Sequence, residues 1–429
     1  MNKTNIEVKI IIQNLNTMTL FDLKDKYQRI ALNHWHHKKC IGTIECSTGI
    51  GKTRMALLAI EWVIKTIENP KILILTPRET IRDIVFPQEF KKWNLEHLLP
   101  KVEIQCIQTA YKRKNEKFEL IIADEFHNFL SEHYSLFFNN KCEKILGLSA
   151  FIPLDRYAVI NSIAPICYRI TTDSAVKIGL ISGYIEYNIP IELTEKEKIY
   201  FNDVQTKYDE AEEALGGSLV AYENAIYYKK LLSNKPLYMQ NTNDINSLKY
   251  AKQYWKAMMD RKKFLYNCKS KLIAVRKLID ELDLKQSIIF SQSTKFADEI
   301  CKNRKDIYPF HTNIKNKETK ENNLSDFLIG INNINHLSTC KCVEEGVDMP
   351  SLPVIINTSR VSSPKSHIQK RGRCLRYEDN KTSFIFNLYI KNSQDEKWLR
   401  SAQSTTDTKR IKWVSNIEEV KQDILTNYS

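Results

Sequence analysis

Residues 45–59 read ECSTGIGKTRMALLA, with Gly49 and Gly51 ahead of Lys52 and Thr53 and a helix-periodic apolar run behind them. Glycines so placed let backbone amides converge, and the unpaired N–H groups of a helix start attract an anion. A lysine beside them reaches the β and γ phosphates of a nucleotide, and the hydroxyl that follows can hold magnesium. The candidate site is therefore the loop Thr48-Gly49-Ile50-Gly51 together with Lys52 and Thr53. Against the pattern G-x-x-x-x-G-K-[ST] it departs once, because Cys46 stands where the first glycine would fall. A glycine-containing helix cap with no ligand is the alternative. The stretch LIIADEFHNF at 120–129 supplies what a nucleotide site needs next. Asp124 closes an apolar run, where it can hold magnesium through water, and Glu125 beside it is a candidate base for the attacking water. Together the two stretches make hydrolysis of ATP, with Mg2+, the expected chemistry.

These side chains need elements that present them at the ends of buried strands. KILILT (71–76) and LIIAD (120–124) are short apolar runs that end at polar residues, as buried parallel strands do. CIGTIEC (40–46) is another, followed by the glycine-rich turn and the helical pattern RMALLAIEWVIKTI. Strand, turn and helix in that order are the context a phosphate-binding loop requires. At 429 residues the chain exceeds one ordinary core, so two or three domains are expected. The composition is globular, 42% hydrophobic and 27% charged. No basic leader with an apolar core opens the sequence, and no run approaches about 18 apolar residues, so a cytoplasmic place without a membrane partner is expected. Lysine and arginine outnumber aspartate and glutamate 64 to 51, and the net charge of +13 suits a polyanionic partner. The ten cysteines are scattered and read as free thiols, and the cluster His34, His36, His37 and Cys40 reads as ordinary side chains rather than a zinc site.

The order Asp124-Glu125-Phe126-His127 behind a phosphate loop resembles the D-E-x-H block of superfamily 2 helicases and translocases, whose other blocks follow in order. LKDKYQRIALNHW (23–35) resembles the segment whose glutamine reads adenine, a role that falls on Gln28. TPRET (76–80) resembles the first block that contacts nucleic acid, which implicates Thr76 and Arg78. LGLSAF (146–151) resembles the coupling block, normally Ser/Thr-Ala-Thr; Phe151 departs from it and leaves Ser149, with His127, as the coupling residues. In the second half, QSIIFSQST (286–294) is an apolar strand with a polar end, and FHTNIKNKETKENNLSDFLIG (310–330) resembles the loop and helix that touch a strand backbone, near Thr312. LSTCKCVEEGVDMPSLPVII (337–356) resembles the block that senses ATP and grips nucleic acid, with Gly346 and Asp348 at the ATP side and Thr339 at the strand. HIQKRGRCLR (367–376) resembles the arginine-finger block Q-x-x-G-R-x-x-R, with Gln369, Arg373 and Arg376 on its functional positions. Charge spreads over the transferring phosphoryl group, and a guanidinium fork offers it several fixed donors. Arginines supplied by an opposite lobe make hydrolysis depend on closure.

The resemblance implies an α/β fold of two tandem RecA-like lobes with parallel sheets, 1–190 and 271–429, the second ending in a short helical tail, and a helical insert at 191–270. In and beyond the insert, 193–215 and 245–282 read as long amphipathic helices, interrupted by Gly216-Gly217 and by an asparagine-rich turn at 241–246. Their rings, Tyr208, Tyr227, Tyr228 and Tyr254 among them, are expected to pack helix on helix rather than stack on bases. Asp395-Glu396 reads as an exposed acid pair. The D-E-x-H form, the E-E-G-V-D-x-P block and the tail IKWVSNIEEV (411–420) resemble excision-repair helicases, type I restriction motors and phage branch-migration helicases. That implies a DNA-stimulated motor acting on single-stranded, forked or branched DNA ahead of RNA, with phage or host replication and recombination proteins as further partners. A duplex translocase that serves a partner without unwinding, an RNA helicase, and a nucleotide-gated binding module are the competing readings.

Overall fold

The computed structural model describes residues 19–217, 221–223, 226, 242–284, 286–330, 334–340, 352–359, 361–372, 374–375 and 381–428. Helix α1 (Leu20–His37) starts in a capping box, Thr19 and Asp22 each accepting from the other's amide. Six strands follow in one sheet: β1 (Ile41–Cys46), β2 (Ile72–Thr76), β3 (Val102–Cys106), β4 (Leu120–Asp124), β5 (Ile145–Ser149) and β6 (Ile166–Ile170). Their order is β3-β2-β4-β5-β1-β6, and every pairing is parallel. Strands β2, β4 and β5 are buried along their whole length, which is why they read as unbroken apolar runs. Helix α2 (Lys52–Thr66) buries Met55, Leu57, Ile60 and Val63 in the core of this lobe, the stripe that the helical period implied.

Helix α3 (Thr172–Ile178) stops at Gly179, whose φ is 83°, and buried Leu180, Ile181 and Ser182 lead into strand β7 (Gly183–Pro190). This strand lies in a second sheet with β8 (Ser287–Ser291), β9 (Ile307–Phe310), β10 (His336–Cys340), β11 (Val354–Asn357), β12 (Thr382–Tyr389) and β13 (Ile411–Trp413). The order is β9-β10-β8-β11-β12-β7-β13, again parallel throughout. The boundary expected at 190 leaves β7 with the first lobe, yet its register runs from Gly183 opposite Thr382 to Pro190 opposite Tyr389. An apolar run shows that a strand is buried and says nothing of which sheet buries it. Two parallel sheets in succession, each clad in helices, form tandem RecA-like lobes.

Helices α4 (Glu195–Ala214), α5 (Thr242–Asn267) and α6 (Lys269–Glu281) stand between β7 and β8. Helices α4 and α5 pack through Ala211, Ala251 and Tyr254, with the Tyr208 and Tyr254 hydroxyls 2.7 Å apart, while Tyr227 and Tyr228 lie outside the described residues. Two expectations change here. Most of the asparagine-rich stretch belongs to α5, and the pattern over 245–282 breaks at Cys268, which is extended at ψ 142°. The break lets Lys271 turn inward, where its Nζ donates to the Leu265 carbonyl (2.8 Å), Ser359 Oγ (3.2 Å) and Asp395 Oδ2 (2.6 Å). Asp395, expected exposed, is thus buried as the partner of a buried lysine, the only form in which either charge is tolerated there. Helices α7 (Thr294–Cys301), α8 (Lys317–Ile329), α9 (Pro364–Arg371), α10 (Gln394–Ala402) and α11 (Ile417–Asn427) belong to the second half of the chain. Among the described residues no helix is long and apolar enough to cross a membrane.

Candidate nucleotide site between the lobes

Parallel pairing sets the C-terminal ends of β4, β5 and β1 side by side, with Asp124 opposite Leu148 and Glu45 opposite Ser149. The space beyond such ends is where open parallel sheets bind ligands. After β1 the backbone turns through Gly49 (φ 87°) and Gly51 (φ 99°), conformations that side chains resist. Lys52 then opens α2, and its Nζ makes a 3.3 Å hydrogen bond to the Cys46 carbonyl. Thr53 is half-buried in the same first turn. Gln28 reaches over from α1 and donates its Nε2 to the Ile50 carbonyl at 2.8 Å. The glutamine expected at adenine braces the loop, a contact that spacing alone does not reveal. Burial pushes the Cys46 thiol up to about 11, so a neutral thiol fills the place of the missing glycine.

Asp124 ends β4 and is 8% exposed. Glu125 follows with a left-handed φ of 54°, uncommon for a side chain of this size. The turn carries His127 under β5, where its Nδ1 lies 2.7 Å from Ser149 Oγ. Ser149 donates its own hydrogen to the Phe151 carbonyl at 2.8 Å, so it accepts from His127 Nδ1–H. Glu125 Oε2 lies 3.5 Å from the same imidazole and has no hydrogen-bond partner among the described residues. A residue missed in the sequence, Glu45, ties the next turn down: Oε1 accepts from the Ile152 amide (3.1 Å) and Oε2 pairs with Arg169 Nε (2.6 Å). Nothing in an apolar strand ending Glu-Cys signals that contact.

The second lobe roofs this crevice. A Cβ at Gly372 would stand 2.7 Å from Thr48 Cβ, and one at Gly49 would stand 3.6 Å from the Leu375 carbonyl oxygen. Lys365 of α9 donates to Asn128 Oδ1 at 2.6 Å. Gln369 is 8% exposed in the last turn of α9. Arg373, Arg376, Gly346 and Asp348 lie outside the described residues. Two strand-contact assignments need correction. Thr76 ends β2 and Thr339 stands one residue before the end of β10, both with no exposed surface, and Thr76 Oγ1 donates to the Arg78 carbonyl at 3.2 Å. Arg78 and Thr312 are exposed.

Buried polar atoms in proteins are almost always hydrogen-bonded, yet Thr48 Oγ1 and Glu125 Oε2 are not. With the turned amides and a lysine that makes one long bond among the described residues, they fit a nucleoside triphosphate. Lys52 and the loop would hold its phosphates, and Thr53 and Asp124 its magnesium. The bound group would supply a phosphoryl that water can attack.

A phosphate loop and acidic pair on one RecA-like lobe, roofed by Gly372 at the end of helix α9 of a second, define an ATP-hydrolysing two-lobe motor. Residues 21–154 match the family described as "Type III restriction enzyme, res subunit", and 270–378 match "Helicase conserved C-terminal domain". The chain is 27% identical over 398 residues to the DNA 3'-5' translocase XPB2 of Sulfurisphaera tokodaii, covering 88% of this chain and 84% of that one. It is 24% identical over 477 residues to a protein of Methanocaldococcus jannaschii described provisionally as an ATP-dependent RNA helicase, and there it covers 88% of this chain and 59% of its relative. The solved helicase domain of Hef from Pyrococcus furiosus shares the fold, with a TM-score of 0.56 at 18% identity over 88% of this chain and 97% of that domain. The two family matches and the relatives support a superfamily 2 helicase of the excision-repair and restriction-motor type.

Proposed function

We propose that this protein is a DNA-stimulated motor that moves on DNA by hydrolysing ATP and unwinds or branch-migrates forks and junctions. The observation that carries the reading is the contact of Thr48 with Gly372, which leaves no room for a side chain between the phosphate loop and the arginine block. Hydrolysis in such a site responds to how the lobes sit, and a track held across both lobes changes that. In this cycle Lys52 and Thr53 take the phosphates and magnesium, Glu125 orients water with Gln369 nearby, and Arg373 and Arg376 approach from the opposite lobe. His127 and Ser149 relay the nucleotide state, and Arg78 and Thr312 meet the strand backbone. We place the division between the lobes at the turn 179–182, ahead of β7.

The net charge of +13 suits a nucleic acid of either kind, and DNA is favoured by the relative named a DNA 3'-5' translocase, which also makes that polarity the one to test. Partners drawn from phage or host replication and recombination, in the cytoplasm, suit such a motor. The same relative's name supports the second reading, a translocase without unwinding. The test is ATP turnover with no polymer, single-stranded DNA, duplex, fork, four-way junction and matched RNA, beside Lys52→Ala and a strand-displacement assay. Stimulation by forks or junctions with strand displacement supports the proposal. Stimulation without displacement selects the translocase, stimulation by RNA alone selects the RNA helicase, and turnover that survives Lys52→Ala removes the site assignment.

A further inference from the structure

Arg371, the last residue of α9, falls on a variable position of the arginine block and has no role in the cycle above. It is nonetheless 3% exposed and reaches across the lobes. Its Nη1 donates to Tyr184 Oη (2.9 Å) and Thr406 Oγ1 (3.0 Å) and lies 3.4 Å from Glu186 Oε1, all in the second lobe. Its Nη2 donates at 3.3 Å to Thr172 Oγ1, at the start of α3 in the first lobe. Thr172 Oγ1 is in turn 3.1 Å from Ser47 Oγ, the residue that begins the phosphate loop. Ser47 is 2% exposed, and its amide donates to the Ile170 carbonyl at 3.1 Å, so the loop's first residue is held on both sides.

The anion behind this chain is Glu186, wholly buried in β7. Its Oε1 lies 3.0 Å from His367 Nε2, one turn before Arg371 on α9, and its Oε2 accepts from Gln403 Nε2 (2.6 Å) and Asn387 Nδ2 (3.3 Å). A buried carboxylate with that many donors fixes the guanidinium in one orientation, because moving it would strand charges in a dry interior. The guanidinium plane then fixes where Nη2 points, and it points at the hydroxyl pair.

We propose that Arg371 and Thr172 are positioning residues for ATP hydrolysis, joining the arginine-bearing helix of the second lobe to the start of the phosphate loop through Ser47, with Glu186 as the buried anchor. The inference rests on the ATPase reading above. Neither residue touches the nucleotide; they set the loop's place relative to Gly372 and the arginines after it. A misplacement of that kind affects the reaction step more than ground-state binding.

Thr172→Val removes the hydroxyl at nearly constant volume, and Thr172→Ser keeps the hydroxyl while losing the methyl. In the full-length chain, Thr172→Val is expected to lower kcat for ATP about tenfold with KM within about twofold, and Thr172→Ser to restore most of it. Hydrogen exchange at the amides of residues 47–52, measured without nucleotide, is expected to quicken in Thr172→Val and not in Thr172→Ser. Arg371→Lys, which keeps the charge for Glu186 but loses the fork, is expected to follow Thr172→Val. Unchanged kcat and unchanged loop exchange in Thr172→Val would overturn the proposal, as would equal losses in the Val and Ser variants. Should the wild type hydrolyse no ATP, the ATPase reading fails by itself, and the exchange measurement still decides the link.

Discussion

Thr48 and Gly372 come from opposite lobes and meet so closely that a single added methyl group would collide. In Gly372→Ala the new Cβ would lie inside contact distance of Thr48 Oγ1, Cβ and Cγ2 together, so rotating the threonine cannot relieve it. One buried apolar cluster runs from the first lobe through Leu180, Ile181 and Leu375 into the second, but the clash falls on the contact between Thr48 and Gly372 and removes no apolar burial. The variant is expected to lose at least about tenfold in kcat for ATP while its melting temperature stays within about 3 °C of wild type. Steady-state kinetics beside a thermal melt measure both, and a large drop in melting temperature would place Gly372 in ordinary packing. Much at this scale was legible from the sequence. Lys52, Thr53, Asp124 and Glu125 stand out because phosphate and magnesium chemistry needs those types at those spacings. The residues that set their geometry do not. Gln28 on Ile50, Glu45 under Ile152 and Arg371 on Thr172 join positions 22, 107 and 199 apart in sequence, so no local pattern marks them. Thr76 misleads for a related reason, since a threonine at a strand end looks the same whether its hydroxyl faces solvent or, as here, the Arg78 and Gln105 carbonyls.

Strands place chemistry at their C-terminal ends and leave their N-terminal ends to stability, and β10 shows the second role. His336 opens this strand and is 2% exposed, with its Nδ1 2.9 Å from Ser287 Oγ. Burial pushes its imidazole down to about 4, only partly opposed by the Asp306 carboxylate and reinforced by Arg304. In the unfolded chain the imidazole takes up its proton near pH 6.5. As pH falls from about 6.5 to 4, therefore, the unfolded state binds a proton that the native state refuses, and stability drops through that window. From pH 7 to pH 5 this side chain is expected to cost the fold about 2 kcal/mol, a loss absent from His336→Gln. Denaturant midpoints at the two pH values test it, and an unchanged slope in the variant would show that other groups carry the acid sensitivity. The insert shows what an element offers outward. On α5, Lys249, Lys252, Lys256 and Lys263 are exposed at spacings that share one helix face, while α4 presents Asp209, Glu210 and Glu213. The inward tyrosines were readable as packing, and Arg261 lies 3.7 Å over the Tyr208 ring; the break at Cys268 was not, because a buried Lys271 fits a helical pattern as well as an exposed one. If the stripe grips a polyanion, replacing Lys249, Lys252 and Lys256 by alanine lowers the salt dependence of DNA binding by up to about 3 in slope. Titrations at several salt concentrations read that number, and an unaltered slope would leave the stripe as a solvated face.

Across the whole molecule the two lobes hold each other through their own side chains. Asp173, beside Thr172 at the start of α3, accepts from Arg410 Nε at 3.0 Å and from Tyr184 Oη at 3.3 Å, so a first-lobe carboxylate binds both ends of the second lobe's chain. Arg410 in turn lies 5.0 Å over the Tyr184 ring. These contacts flank the turn at Gly179 and favour the arrangement in which Gly372 roofs the phosphate loop. A partly exposed ion pair contributes about 1 kcal/mol or less, enough to shift a closed-to-open balance about fivefold and too little to unfold a lobe. Asp173→Asn keeps the shape and weakens the pair. Its turnover without polymer is expected to fall about threefold to fivefold, because closure then depends on the weakened contacts alone. In the proposed cycle a DNA strand across both lobes would supply closure from outside, so turnover at saturating DNA is expected to stay within about twofold of wild type, with a higher stimulation ratio. Rates with and without DNA, alongside the radius of gyration in solution, separate the cases. A variant that loses the same fraction of both rates would show that Asp173 supports the fold of the turn and has no part in how the motor closes.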